Sequence, residues 1–409
     1  MSPRPAVLMA TLLVAMAGPA AFKLQAAEAI ETPSADDGFI EVGPFYFRPR
    51  LTFKDLGYDS NVFLTRDNED GDFTATLGPS LEAATLFGHR GRLDLSQEVD
   101  LVGFLNTPSQ NHVNSRSQAA WQIGFSDFTY RGRAGYANEK LRPSEEIDER
   151  ERQRNEFLSG ELSWSRSSRA TLALLAGRNR YRFSGNPLLF GNNLSDLDRD
   201  ETSTGLKARV RILPKTDAVM ELRHTSIDHT RPELGRDAVM RRLIPGLVFD
   251  DSALIQGEIH LGVLRFDPDR AGRRSYSGPV GRAVLSTRLG RRLRLQPSYQ
   301  RDLVFSIFAN NLFYRTETFG LSAFTSLSSR FRLETGGSRS ALHYPDLVSF
   351  PAFTGLRRDR ITRYWLGWSY ALDSRPRYGF RVEWRDRNSN FDLEDDTQVR
   401  VIGRASYSF

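Results

Sequence analysis

Arginines at every second position are the side chains of this sequence best placed to act on a solute. Lys207, Arg209 and Arg211 alternate with Leu206, Ala208, Val210 and Ile212. Arg131, Arg133, Arg294, Arg332, Arg381, Arg400 and Arg404 likewise stand opposite apolar residues of their own segments. Along an extended strand successive side chains point to opposite faces, so each cation belongs to a polar face backed by an apolar one. If the polar faces line an enclosed lumen, that lumen favours anions. A structural alternative is that the cations pair with Asp94, Glu98, Asp100, Glu334 and Glu383 of neighbouring segments. The pattern supports both.

Hydrolytic and metal chemistry find less support. His224 and His229 flank Asp228, but a spacing of five puts the two rings on opposite faces of a strand, and no serine elbow or metal-ligand spacing accompanies them. Glu145, Glu146, Asp148, Glu149 and Glu151 crowd one arginine-rich segment. Paired carboxylates cleave glycosides only at a defined separation across a cleft, and nothing local fixes one here. The segment Lys140 to Asn155 is expected to be a hydrated external loop, partly helical, that ties to lipopolysaccharide or folds over a pore. Without cysteine there is no disulfide or thiolate metal site. No enzyme activity, cofactor or metal is expected.

These side chains need strands to hold them, and the chain supplies strands throughout. Phe73, Ala75, Leu77, Pro79 and Leu81 oppose Thr74, Thr76, Gly78, Ser80 and Glu82; Tyr378, Phe380, Val382 and Trp384 oppose Gly379, Arg381, Glu383 and Arg385. The last residues keep the pattern, with Val399, Val401, Gly403, Ala405, Tyr407 and Phe409 against Gln398, Arg400, Arg404, Ser406 and Ser408. Tight turns near Gly88–Gly91, Ser126–Asp127, Arg166–Ser168, Leu213–Lys215, Asp250–Ser252, Gly290–Arg291, Ser328–Ser329 and Ser374–Arg377 alternate with longer polar loops, among them Tyr58–Asp70, Lys140–Asn155, Ser184–Asp200, Ser306–Asn311 and Ser340–Asp359. Short turns at one end and long loops at the other describe an all-β, transmembrane, antiparallel up-and-down barrel of about 18 strands, with 16 as the alternative. Tyr407 and Phe409 then form the terminal signal read by barrel-assembly machinery. A propeller or β-helix would need a fixed internal repeat, which is absent.

Residues 1–26 carry Arg4, an apolar run and small residues at Ala26 and Ala27, the pattern of a cleaved signal peptide. Residues 27–44 form a short periplasmic leader and residues 45–409 the barrel. Removing Arg4 and Lys23 from 56 basic residues, against 50 acidic ones, leaves a charge of +4. So small an excess gives no case for nucleic acid. A hydrophobic content of 39% would suit a soluble protein, yet it equally suits a barrel in which only alternate residues meet lipid.

Leu56-Gly57-Tyr58-Asp59-Ser60-Asn61-Val62-Phe63 closes the first barrel strand. It resembles the opening of the β-barrel porin family associated with exopolysaccharide gene clusters, in which a strand runs into a Gly-Tyr-Asp-Asn turn, an aliphatic residue and Phe. Here Ser60 intervenes. Asp59, Ser60 and Asn61 favour side-chain-to-backbone turns, and Val62 and Phe63 re-anchor the chain. The family-motif residues are therefore Gly57, Tyr58, Asp59, Asn61 and Phe63. The resemblance implies export of an exopolysaccharide or capsular polysaccharide through the outer membrane, among lipid and lipopolysaccharide, above a periplasmic polysaccharide export protein. A general or anion-selective uptake porin competes with that reading, and an outer-membrane barrel hydrolase or acyltransferase comes third.

Overall fold

The computed structural model describes residues 33–34, 38–67, 69–184, 193–290, 292–350, 353–372, 376–391 and 394–409. The expected signal segment and most of the leader lie outside them. A short strand β1 (Ile40–Val42) is followed by β2 (Phe45–Asp59), β3 (Asp72–Phe87), β4 (Gly91–Phe104), β5 (His112–Phe125), β6 (Phe128–Leu141), β7 (Glu151–Ser167), β8 (Ala170–Ser184) and β9 (Arg199–Leu213). The chain continues as β10 (Thr216–His229), β11 (Ala238–Phe249), β12 (Ile255–Pro268), β13 (Tyr276–Leu289), β14 (Leu293–Phe305), β15 (Phe313–Ser326), β16 (Phe331–Phe350), β17 (Phe353–Ala371), β18 (Arg377–Ser389) and β19 (Asp396–Ser408). Each strand from β2 onward pairs antiparallel with the next, and β19 returns to β2 from Arg400↔Asp59 to Ser408↔Arg50. The 18 strands from β2 to β19 thus close into a barrel, which removes the free edges an open sheet would expose. β1 lies against the start of β2 through Ile40↔Phe47.

Period two decides the two faces. On β8, Leu172 and Leu174 are exposed whereas Ala173, Tyr181 and Phe183 are buried; on β10, Met220 and Leu222 are exposed whereas Asp217, Val219 and Ile227 are buried. The exposed rows form the lipid-facing belt. β2 switches phase once. Asp55 takes a left-handed backbone (φ 51°), and the pairing of β2 slips there against both β19 and β3. This bulge lets Phe53 and Leu56, three apart, both face outward, so Lys54 and Asp59 both face in.

The connections alternate short and long; of the expected loop Ser184–Asp200 and turns Gly290–Arg291 and Ser374–Arg377, residues 185–192, 291 and 373–375 lie outside the described residues. Ser340–Asp359 is not a loop: β16 and β17 run on as a paired hairpin to Phe350↔Phe353, slipping register between His343 and Leu347. Leu342, Tyr344 and Val348 are buried along this extension, which is why the strand pairing persists beyond the belt. β7 also runs to Ser167, moving the expected Arg166–Ser168 turn by about one residue.

The apolar core sits in the barrel mouth, at the long-loop end. β14 pairs with β13 only from Leu289↔Leu293 to Gly281↔Arg301. Beyond that the β14–β15 hairpin leaves the wall and turns inward. One face of its tip, Leu312 and Phe313, packs with Ile227, Met240, Leu264, Phe266 and Val280. Its other side, Ile307, Phe308 and Tyr314, packs with Tyr181 and Phe183 of β8 and Leu342, Tyr344 and Ile361 of β16 and β17. Strands that far apart in the wall can meet one hairpin only through the lumen.

Candidate functional site

All ten basic residues singled out above lie on inward-facing rows. Arg209 and Arg211 share one carboxylate, Asp217, with Arg209 Nε at 2.9 Å and Arg211 Nε at 2.8 Å. Arg131 Nη1 is 3.7 Å from Glu161, and its Nε donates to Gln122 at 3.0 Å. Arg381 reaches Glu383 at 2.9 Å and Glu334 at 3.5 Å, and lies over the Trp365 ring. Arg400 lies between Asp55, Asp59 and Glu383, and Arg404 is 4.0 Å from Asp55. Lys207 stands opposite Glu221, Arg133 between Ala120 and Ser159, and Arg294 and Arg332 share the inner row near the short-turn end. The lumen is therefore a lattice of arginines interleaved with fewer carboxylates. Of the pairings expected, Arg381 meets Glu334 and Glu383 and Arg400 meets Glu383, whereas Asp94 is taken by Arg92.

Asp100 and Glu98, placed on this face by alternation, hold Lys54 across an intervening strand: Lys54 Nζ donates to Asp100 Oδ1 at 2.7 Å and also binds Glu98. Gly78 of β3 makes room, since a Cβ there would meet both Asp100 Oδ1 and Lys54 Cε. His224 faces out and His229 in, as their spacing required, and no group of three His, Asp or Glu side chains among the described residues could hold a metal.

Of the two roles expected for the segment Lys140 to Asn155, the structure shows folding over the pore: the segment enters the mouth. Lys140 and Leu141 belong to β6 and Glu151 to Asn155 to β7; residues 142–150 turn inward between them, without a helix. Charge explains the destination. The wall there presents Arg357, Arg363, Arg385 and Arg387 against Asp359, Glu394 and Asp396, leaving one cation in excess, and the loop supplies Glu145 and Asp148. Arg387 Nη1 binds Asp148 at 3.1 Å and its Nη2 binds Asp359 at 2.7 Å. Arg357 binds Asp359 at 2.9 Å and Glu394 at 2.7 Å; both guanidinium groups and Asp359 are wholly shielded from solvent. Glu145 accepts from Arg363 at 2.6 Å and sits 3.6 Å from Arg385, which also binds Asp396. Glu146 reaches the hairpin tip: Ser306 Oγ and the Ile307 N–H each donate to it at 2.7 Å. Arg236 fastens the other side of the tip by donating to the Ser306, Ile307 and Phe308 carbonyls at 2.9, 3.2 and 3.0 Å.

The family-motif turn moors the loop. Gly57 must be glycine, because a Cβ would run into the Val401 carbonyl. Tyr58 points outward against Phe73, and Phe63 is half-buried. Asp59 accepts from Asn61 N at 3.1 Å and Gln398 Nε2 at 2.7 Å, while buried Asn61 donates to the Thr65 and Thr397 carbonyls at 2.7 and 3.0 Å. Val62 is fully buried, and its carbonyl accepts from Arg142 at 2.7 Å and Arg150 at 2.8 Å. Sequence reasoning missed Arg357, Arg363, Arg385 and Arg387 as a cluster. The i, i+2 arginines at 385 and 387 were visible, but not what they would meet.

Burial opposes ionisation of Glu145, Glu146 and Asp148. For Glu145, Arg363 and Arg385 overcome burial and hold the carboxyl below its usual range. For Glu146 burial wins over the hydrogen bonds from Ser306 and Ile307, and for Asp148 it wins over Arg387, pushing the carboxyl up to about 6. A carboxyl whose docked pKa is raised favours docking when protonated, so docking strengthens as pH falls and weakens as pH rises through the raised value. Acidification from pH 7 to 5 is therefore expected to lower single-channel conductance in planar bilayers. Glu146→Gln with Asp148→Asn should flatten that response; an unchanged response would remove these two groups from the explanation.

A family model described as Putative beta-barrel porin 2 matches residues 33–403. Among solved structures, the outer membrane protein opdK from Pseudomonas aeruginosa is 12% identical, with a TM-score of 0.50 over 89% of this chain and 99% of that one. A BenF-like porin from Pseudomonas fluorescens Pf-5 is 10% identical, with a TM-score of 0.50 and the same coverage. At such identities the likeness concerns the fold. No curated protein matches.

Proposed function

We propose that this chain, which belongs to the Putative beta-barrel porin 2 family, is an outer-membrane channel rather than an enzyme, delivered by removal of residues 1–26, and that it exports an acidic exopolysaccharide or capsular polysaccharide. The observation that carries the anionic part is the inward row of Lys207, Arg209 and Arg211, where two arginines share the single carboxylate of Asp217. Such a row attracts anions. Export from a periplasmic export protein rests on the resemblance carried by the family-motif turn. The outward pair Tyr407 and Phe409, with rings 5.0 Å apart, fits a surface read by barrel-assembly machinery. One observation favours uptake of small anions instead: the loop and the hairpin tip narrow the mouth, so a polymer needs them to move and a small anion does not.

A deletion strain separates the readings. Loss of surface or secreted polymer with unchanged growth on small solutes supports export; normal polymer with impaired uptake of an anionic nutrient reverses the ranking. In bilayers, Arg209→Glu with Arg211→Glu is expected to shift selectivity toward cations while the barrel still assembles. Val210→Glu, on the lipid face, should instead hinder insertion, at somewhat less than the roughly 2–4 kcal/mol of a mid-membrane Arg or Lys. Harmless Val210→Glu beside non-inserting Arg209→Glu would reverse the assignment of faces.

A further inference from the structure

The lipid-facing rows of β7, β8 and β9 do not end in neutral residues. On these rows Leu158, Leu174 and Leu206 are 56%, 57% and 54% exposed, within the belt. Toward the long-loop end the same rows continue as Arg152, Arg154 and Glu156 on β7, Arg178, Arg180 and Arg182 on β8, and Asp200 on β9. Five arginines face two carboxylates. Arg178, Arg180 and Arg182 all converge on Asp200, at 2.6, 3.4 and 2.6 Å, and Arg180 alone reaches Glu156, at 3.2 Å. Arg154 stands directly opposite Arg182 in the β7–β8 register. Like charges so placed repel. Together Arg154, Glu156, Arg180 and Arg182 line an open recess of about 250 Å³ on the outer surface of the wall.

We propose that this recess seats a phosphate group of lipid A in the outer leaflet. Arginine forks match phosphate oxygens, and an anion between Arg154 and Arg182 converts their repulsion into two attractions. The leucines below decide between sources. A ligand whose acyl chains follow Leu158, Leu174 and Leu206 while its phosphate enters the recess uses the whole row, whereas a free anion uses only the top. The inference rests on the outer-membrane reading above, with the long loops outward.

The test uses the full barrel, purified in detergent, and vesicles containing diphosphoryl lipid A. Arg154→Gln with Arg180→Gln and Arg182→Gln should bind these vesicles at least about tenfold more weakly, the cost of roughly one charge-assisted contact or more. Vesicles of dephosphorylated lipid A should bind the unsubstituted barrel as weakly. Binding within about twofold by the triple variant, or equal binding of dephosphorylated lipid A, overturns the proposal, and so does displacement by excess inorganic phosphate, which would make this a simple anion site. Should the glutamine variant fail to fold, triple replacement by lysine keeps the charge but loses the fork; undiminished binding would then overturn the assignment to arginine recognition. A barrel absent from outer-membrane fractions means that the reading of location has failed. A heat-modifiable barrel there that ignores lipid A means that only this inference has.

Discussion

Excision of residues 142–150, with a short Gly-Ser turn joining β6 to β7, is expected to raise single-channel conductance several-fold and leave the barrel assembled. The loop lies in the mouth through Glu145, Glu146, Asp148, Arg142 and Arg150, and every one of those contacts is to another segment or to the loop itself. The wall pairing of β6 with β7 extends to Leu141↔Glu151, so the ladder does not depend on the excised residues. Removing it uncovers the positive excess of Arg357, Arg363, Arg385 and Arg387, so anion selectivity should rise together with conductance. Unchanged conductance would mean that the narrowest point lies elsewhere, and a chain that no longer assembles would make the loop a folding element.

Arg387→Ala should be the most destabilising single change in the mouth. The guanidinium is fully shielded and holds Asp148, Asp359 and Glu394. Its loss leaves three carboxylates to Arg357 and Arg385, a removal of one partner from a buried ionic network that costs about 3–5 kcal/mol. Denaturant unfolding of the refolded barrel measures it. The compensating control is Arg387→Met with Asp148→Asn and Asp359→Asn, which removes charge from both sides and should recover part of the loss. A cost for Arg387→Ala below about 1 kcal/mol would place the pair among ordinary surface bridges. The contrast with Arg178, more than half exposed on the outer wall, is direct: its bond to Asp200 should contribute little.

Much of this protein follows from a local rule. Because side-chain direction alternates with every residue of a strand, the inward placement of Lys207, Arg209 and Arg211, the outward placement of Val210 and the opposed faces of His224 and His229 could be read from neighbours alone. The same rule and the alternation of turn lengths determined the barrel and its strand number. It failed where a backbone irregularity or a buried extension intervened: Asp55 resets the phase of β2, Ile402 takes an inward, buried position within an otherwise polar row, and β16 and β17 outrun their expected loop. The mouth was decided by tertiary structure. Glu146 meets Ser306 across 160 residues, Arg363 meets Glu145 across 218 and Arg387 meets Asp148 across 239. A charged segment reads the same whether it meets water or an opposite charge, since its composition sets what it can bind while only closure of the barrel sets what lies within reach. Ring closure carried the arginines of β17 and β18 to within a side chain's length of the β6–β7 connection, and that proximity turned a hydrated loop into the element that narrows the mouth.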